Sequence, residues 1–350
     1  MLLKTWKYLY HYNIGSAELP YPPLLMWVEP TNSCNLKCTM CPNSLSGKSR
    51  EHGFMELELF EKIVKESKGW CGIFYLFLGG ESLMHKQLPE MIRLASDNGI
   101  RVVLHTNGCL LTKDKAAKII DSGLREISFS FDALDASEYE NRRAGANFDK
   151  TLENIREFLK IRAEKKSRTP KVTIQSIDFL NSAGTTGKKR LAELFPGISS
   201  RDINIIPPHT WAGAFKDDPT LAAPEKCGEY FPCKFLWSSM AIQWDGEVAA
   251  CCNDLFGEIH LGNVKKESLQ EVWNGKPMQR FRGALAASRL TEYPLCADCD
   301  VPYNHNNARR PVKFARSLSN RKLAGALALG IEIARRSVAG TRDYLRRFKG

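Results

Sequence analysis

The sequence contains no run of about eighteen apolar residues, which is the length that a membrane-spanning helix needs. Cysteine is scarce for a disulfide scaffold, since eleven cysteines are spread over 350 residues. The segment from Met1 to Lys7 also lacks the continuous apolar core of a secretory signal. We therefore expect a cytoplasmic protein in a reducing compartment, where thiols stay free to bind metal.

Net positive charge is almost absent from most of the chain. The segment from Arg309 to Gly350 contains twelve Lys or Arg residues and two acids, so it carries +10 of the total net charge of +11. From Lys313 onwards apolar and basic side chains interleave, which indicates a basic amphipathic helix. We expect this tail to attach the protein peripherally to an anionic membrane surface, and the composition of residues 1–23 suits the same interface.

Two other interpretations of the basic tail stay open. Its helices could cover the body of the protein or bind a protein partner, and a basic segment could also bind RNA. No nucleic-acid-binding module is visible in the sequence, so we expect no nucleic acid partner.

Strand-like apolar segments alternate with segments of helical periodicity between residues 24 and 206. The predicted strands are 24–29, 73–78, 101–105, 126–131, 171–177 and 202–206. The predicted helices lie between them, at 56–67, 88–98, 113–122, 148–165 and 186–195. Such alternation implies parallel strands that are joined by crossover helices. We therefore predict an α/β protein that begins with a partial (β/α)6 barrel of the TIM type.

Three cysteines lie close together after the first predicted strand, at Cys34, Cys38 and Cys41. Three thiolates can bind three irons of a [4Fe–4S] cluster and leave the fourth iron open for a small molecule. The alternative is a Cys3His zinc site with His52 as its fourth ligand, although zinc motifs usually contain two CxxC pairs. The CxxxCxxC spacing therefore favours a cluster with one open iron.

Polar segments follow the next three predicted strands, and in parallel α/β proteins the site lies at the carboxyl ends of the strands. The second strand ends in Gly79-Gly80-Glu81, the third precedes Asn107, and the fourth contains Ser130. The two glycines allow a ligand to approach the backbone, and Glu81 can accept a hydrogen bond from an ammonium group. Each segment alone is typical of an ordinary turn, but their succession favours one shared site.

A second set of cysteines lies near the C-terminus, at Cys233, Cys251, Cys296 and Cys299. The Asp245-Gly246 step predicts a hairpin turn that returns the chain toward Cys233. Four thiolates fit either a structural zinc ion or a fully ligated [4Fe–4S] cluster, and the spacing leaves both open. Neighbouring strand residues point to opposite faces, so we expect Cys251 or Cys252 to be a ligand, but not both.

Several other residues receive no chemical role from the sequence. Cys71, Cys109 and Cys227 are expected to be buried thiols, which behave as small hydrophobes. For Cys227, a spare cluster ligand or a substrate contact are the alternatives. His209 and Trp211 could line a pocket, although packing within a loop is the simpler interpretation.

Together these motifs resemble the radical S-adenosylmethionine (SAM) superfamily with a C-terminal SPASM/twitch extension, over about residues 24 to 305. The resemblance implies that Cys34, Cys38 and Cys41 bind a [4Fe–4S] cluster whose open iron holds SAM. It also implies a second, auxiliary [4Fe–4S] cluster. The Asp-Gly turn, the Leu261-Gly262-Asn263 step, the helix around Trp273 and the closing CxxC match the short, four-cysteine form of the extension. We assign Cys251 to that cluster by the family spacing.

The resemblance also implies which residues bind SAM. They lie at the strand ends, after the fourth strand or in the cysteine loop: Gly79, Gly80, Glu81, Asn107, Ser130, Arg143 and Met40. The Gly-Gly-Glu segment would receive the amino group of SAM. Arg143 suits a carboxylate, since its planar fork donates two hydrogen bonds, but it could also be an exposed arginine beside Arg142. Met40 replaces an aromatic residue that is usual in the family near adenine.

The resemblance further implies that SAM is cleaved to a 5′-deoxyadenosyl radical, which abstracts hydrogen from a substrate. We expect a net two-electron oxidation of a sugar-like, alcohol or lipid-linked small molecule, with the auxiliary cluster as electron acceptor. A flavodoxin or ferredoxin would be the reductant. The alternatives are a maturase that modifies a ribosomal peptide or protein, and a non-catalytic iron–sulfur electron carrier. The sequence assigns no residue to deprotonation or quenching of the substrate radical.

The sequence divides into four predicted segments. An amphipathic segment covers 1–23, the partial barrel 24–215, a small α+β SPASM/twitch domain 226–305, and the basic helical tail 306–350.

Overall fold

A computed structural model of the chain describes residues 2–45, 50–177, 185–208, 210–215, 217–218 and 230–303. The strands in these residues are β1 Leu25–Val28, β2 Lys37–Cys38, β3 Ile73–Tyr75, β4 Arg101–Thr106, β5 Glu126–Ser130, β6 Arg143–Ala144, β7 Lys171–Ile177, β8 Ile203–Ile206, β9 Ser239–Ile242 and β10 Val248–Ala249. Eight of them form one sheet in the order β10-β9-β1-β3-β4-β5-β7-β8, and β2 pairs with β6.

The helices alternate with the strands through the first two thirds of the chain. They are α1 Leu2–Asn13, α2 Leu57–Ser67, α3 Leu88–Asp97, α4 Lys113–Ile120, α5 Ala136–Arg142, α6 Phe148–Glu164, α7 Thr185–Glu193, α8 Phe235–Ser238, α9 Leu269–Trp273, α10 Lys276–Ala286 and α11 Pro294–Ala297. Polar side chains cap several of them, as where Asn147 accepts a hydrogen bond from the Lys150 backbone at the start of α6.

All six strands of the predicted barrel are present, and β1, β3, β4, β5, β7 and β8 pair in parallel. One face of each strand is apolar and packs into the main core, as Met26, Phe74 and Val102 do in one row across the sheet. The opposite face carries residues such as Trp27 and Tyr75, which form a separate cluster. The predicted partial barrel, with helices on its outer side, is confirmed.

The sheet extends beyond the predicted six strands. β9 pairs in parallel with β1, with Trp27 opposite Ala241, and β10 returns antiparallel to β9. Gly246 occupies the hairpin loop at a φ of +87°, which glycine adopts without strain. The predicted Asp-Gly hairpin is therefore confirmed, and it belongs to the same sheet as the barrel strands.

The N-terminal segment packs against the part of the chain that contains the second cysteine set. The Tyr12 hydroxyl donates to the Pro232 carbonyl at 2.8 Å, and the Trp237 indole donates to the Ser16 carbonyl at 2.9 Å. The buried Arg282 guanidinium lies 4.2 Å from the centre of the Trp273 ring and donates to backbone carbonyls on both segments. These contacts fix the start of the chain to α8, α9 and α10.

Within the described residues, no helix combines the length and the apolar character that crossing a membrane requires. The basic tail, His209 and Cys227 lie outside the described residues. The membrane attachment therefore stays a prediction from the sequence.

Candidate functional site

The first cysteine set lies in the loop after β1. Cys34 is exposed, Cys41 is half-buried and Cys38 is buried. Burial raises the pKa of Cys41 to about 11, and the negative charge of the nearby Cys38 contributes to the same shift. His52, the alternative zinc ligand, is exposed. The thiols thus lie close together on the edge where the parallel strands end.

The backbone of Gly79 and Gly80 is pressed against this cysteine loop. Glu81 N donates to the Ser33 carbonyl at 2.8 Å. A Cβ on Gly80 would lie 2.3 Å from the Thr31 carbonyl oxygen and 2.5 Å from that of Ser33. Only glycine therefore allows the end of the second barrel strand to meet the loop at this distance.

The Glu81 side chain holds the ends of two strands together. Its carboxylate accepts hydrogen bonds from Leu83 N at 3.0 Å, Thr106 Oγ1 at 2.7 Å and Asn107 N at 2.8 Å. Burial raises its pKa, and these donors oppose that shift. Because a carboxylate offers about four acceptor positions, one remains for the predicted ammonium group.

The other predicted SAM contacts surround the same loop. The Asn107 amide donates to Asn35 Oδ1 at 3.0 Å. Met40 is buried with Leu36, Cys38 and Phe215. Ser130 ends β5 and is half-buried. The structure thus brings the predicted residues together at one edge of the sheet.

Arg143 is buried, so its interpretation as an exposed arginine is wrong. Its guanidinium forms an ion pair with Asp132, and Nη1 lies 4.0 Å from Cys38 Sγ. β6 places Arg143 opposite Cys38 of β2. The Nε atom is buried and has no hydrogen-bond partner among the described residues. One donor of the cation is therefore unsatisfied within the described residues.

The sequence did not indicate three residues that shape this site. Glu29 is fully buried and accepts hydrogen bonds from Gly79 N at 2.9 Å and Trp244 N at 3.2 Å. Asp132 pairs with Arg143. Cys109, predicted to be a buried thiol, is half-buried and packs against the group of apolar side chains that contains Cys38. None of these residues belongs to a spaced motif, and the pairing of distant segments alone brings them to the site.

The second cysteine set also comes together. The charge of Cys233 contributes to the raised pKa values of Cys251, Cys296 and Cys299, after the larger effect of burial. Cys252 packs instead against the sheet cluster that contains Trp27 and Tyr75. The two neighbouring thiols therefore contact different surroundings, although the charge of Cys233 also affects the pKa of Cys252.

Both cysteine sets fit an iron–sulfur cluster by their donor chemistry, since each brings several thiols near one another, with Cys38 buried in the first set and Cys299 in the second. In the described part of the chain, no three His, Cys, Asp or Glu side chains converge as ligands of one metal ion. The thiolates of a cubane bind separate irons, so a cluster does not require that convergence.

Comparison with known proteins shows which families share this arrangement. Residues 28–180 match the radical SAM superfamily, and residues 233–300 match SPASM, an iron–sulfur cluster-binding domain. The cofactor-modifying protein of the tungsten-containing aldehyde ferredoxin oxidoreductase from Pyrococcus furiosus is 24% identical, over 79% of this chain and 87% of that protein. A probable GTP 3′,8-cyclase from Methanococcus maripaludis is 36% identical, but the match spans only 37% of this chain and 44% of that protein.

Solved structures share the fold at low identity. BtrN in complex with AdoMet and 2-DOIA has a TM-score of 0.52 at 18% identity, covering 79% of this chain and 92% of that one. Streptococcus suis SuiB bound to the precursor peptide SuiA has a TM-score of 0.57 at 15% identity, covering 85% and 75%. The two matched families imply a [4Fe–4S] cluster, SAM and an auxiliary cluster. The chain belongs to the radical SAM superfamily and contains a C-terminal SPASM domain.

Proposed function

We propose that this protein is a radical SAM oxidoreductase that removes two electrons from a small-molecule substrate. The observation that carries the proposal is the pairing of β9 with β1. β1 leads into the first cysteine set, and the β9–β10 hairpin leads into Cys251 of the second set. One sheet therefore supports two groups of thiols, which suits a reaction that begins at one cluster and delivers an electron to another.

Cys34, Cys38 and Cys41 would hold the cluster that binds SAM, and Cys233, Cys251, Cys296 and Cys299 the auxiliary cluster. When bound, the first cluster and SAM supply a 5′-deoxyadenosyl radical that abstracts a hydrogen atom. The chain holds the strand ends in place through Glu81 and Gly80, and burial shields the Cys38 thiol from water. The unpartnered Nε of Arg143 supports its predicted contact with the SAM carboxylate.

The inner face of the sheet carries aromatic side chains and a hydroxyl group, which suit a small substrate that has both apolar and polar groups. Trp27 stacks with Tyr75, and Phe77 stacks with His105 at 4.2 Å between ring centroids. Ser128 lies opposite His105 on β5, and its buried hydroxyl has no hydrogen-bond partner among the described residues. Such a wall can pack against the rings or carbon chain of a sugar-like, alcohol or lipid-linked substrate and donate to one oxygen.

Anaerobic reconstitution with iron and sulfide tests the proposal. We expect about eight irons per chain and cleavage of SAM under dithionite. The triple variant Cys34→Ala, Cys38→Ala, Cys41→Ala is expected to keep about four irons and to lose SAM cleavage. Four irons without SAM cleavage in the wild type would instead indicate an electron carrier. If cleavage depended on an added peptide, a maturase would be indicated.

The basic tail is the basis for the predicted peripheral attachment to a membrane. We propose that residues 306–350 attach the protein to anionic membranes, with flavodoxin or ferredoxin as a soluble reductant. Deletion after Asn307 is expected to abolish sedimentation with phosphatidylserine vesicles and to leave SAM cleavage intact. Unchanged sedimentation would refute the attachment.

A further inference from the structure

The buried Arg143 guanidinium contacts one particular cysteine of the first set. Its Nη1 lies 4.0 Å from Cys38 Sγ, and the strand pair β2–β6 sets the two residues directly opposite each other. The pair is extended by a hydrogen bond from Thr39 N to the Arg142 carbonyl at 2.9 Å. The cation is therefore held beside the sulfur of Cys38 by the backbone as well as by its own side-chain contacts.

Asp132 fixes the other side of this cation. It follows β5, its carboxylate pairs with Nη2 of Arg143, and its Oδ1 accepts from Ile177 N at 2.9 Å at the end of β7. The side chain of Asp132 is only 1% exposed. A buried ion pair with such fixed partners has one orientation, since release of either charge would leave the other unpaired.

We propose that Arg143 is a positioning residue for the first cluster, which stabilises the reduced state by donating to the Cys38 thiolate, while Asp132 limits this effect. The inference rests on the proposed function, because it requires that Cys38 binds the cluster. Reduction adds one negative charge to a cluster, and a nearby cation or a hydrogen bond to its sulfur favours that charge. This role differs from contact with SAM, since it operates before SAM binds.

Because Arg143 and Asp132 have opposite charges, their substitutions are expected to shift the reduction potential of the first cluster in opposite directions. Arg143→Gln removes the cation and is expected to shift the reduction equilibrium at least tenfold toward the oxidised cluster, which is about 59 mV for one electron. Asp132→Asn leaves the cation without its counter-charge and is expected to shift the equilibrium toward the reduced cluster. Arg93→Gln is the matched control, since it removes the same charge from an exposed position on α3 and is expected to leave the potential unchanged.

The measurement is a dithionite titration of each reconstituted protein without SAM, followed by electron paramagnetic resonance. In the wild type, the signal that changes when SAM is added afterwards identifies the first cluster, and the iron content of each variant shows that this cluster has assembled. A loss of structure would shift both variants the same way, whereas the electrostatic role requires opposite shifts.

Equal potentials, or shifts in one direction, would overturn the inference. If Arg143→Gln took up no iron, Asp132→Asn alone would test the proposed role. A potential of its first cluster at or below that of the wild type would contradict the role. A wild-type protein without a SAM-responsive signal would refute the proposed function itself. A responsive wild type whose variants keep the wild-type potential would refute only the role of Arg143.

Discussion

The Glu81 carboxylate accepts a hydrogen bond from the Thr106 hydroxyl at 2.7 Å, across the ends of two parallel barrel strands. It also accepts from the backbone of Leu83 and Asn107. A glutamine has one acceptor oxygen, and its amide group would meet donors that it cannot satisfy. We predict that Glu81→Gln destabilises the protein by about 1–3 kcal/mol.

Anaerobic urea unfolding of the cluster-containing protein measures this effect. Glu90→Gln is the control, because Glu90 is exposed and its substitution is expected to change the stability by less than about 0.5 kcal/mol. Equal stability of Glu81→Gln and the wild type would show that the three hydrogen bonds do not hold the strand ends.

Gly80 tests the contact between the second barrel strand and the cysteine loop. We predict that Gly80→Ala disrupts the first cluster, since its Cβ would lie 2.3 Å from the Thr31 carbonyl oxygen and the loop must move away. Iron content and SAM cleavage are expected to fall together, with about four irons retained at the second site.

Gly72→Ala is the matched control for this steric effect. Apart from Gly72 itself and its two chain neighbours, no described residue has an atom within 4 Å of the position that its Cβ would take, so iron content and SAM cleavage are expected to stay at the wild-type level. Full iron content in Gly80→Ala would mean that the loop adjusts without losing its geometry.

The sequence predicts the barrel strands well because their apolar faces and alternation with helices are local signals. The cysteine spacing likewise indicates both thiol sets. The pairing of Trp27 with Ala241 could not be predicted, since these residues are more than two hundred positions apart and β9 is a short apolar segment. Tertiary contact alone specifies that pairing.

The sequence also did not predict which charged side chains are buried. Arg282 lies on the apolar face of α10 with Met278, Phe281 and Leu285, where a charged side chain is usually not expected, yet it is fully buried and stacks on Trp273. Arg143 could be interpreted as exposed, and only the position of Asp132 explains why it is buried. Charged side chains are buried only where another group pairs with them. When that group lies on a distant segment of the chain, no local sequence pattern indicates the burial.

The burial of His105 predicts a specific dependence of stability on pH. Burial lowers its pKa to about 4, whereas the unfolded chain titrates near 6.5. Between these values the unfolded chain binds a proton that the folded protein does not, so stability falls as the pH falls. From pH 7.5 to 5.5, the wild type should lose about 1.4 kcal/mol more than His105→Gln.

Anaerobic urea unfolding at the two pH values checks this difference. The other titrating groups are common to both proteins, so their effects cancel in the comparison. If the wild type and His105→Gln lost the same stability, the imidazole would have to take up a proton in the folded protein as readily as in the unfolded chain, contrary to the effect of burial on its pKa.

Cys251 and Cys252 differ in their surroundings, although they are adjacent in the chain. Burial raises the pKa of Cys251, and the charges of Cys252, Cys233 and Cys299 add to that shift. Cys252 packs on the inner face of the sheet with Trp27 and Tyr75. We predict that Cys251→Ala loses about four irons per chain. Cys252→Ala is expected to retain all of them, because it removes a thiol that is not a ligand. Iron analysis and Mössbauer spectra of the reconstituted variants measure this, and an equal loss in both would show that the two thiols share the cluster.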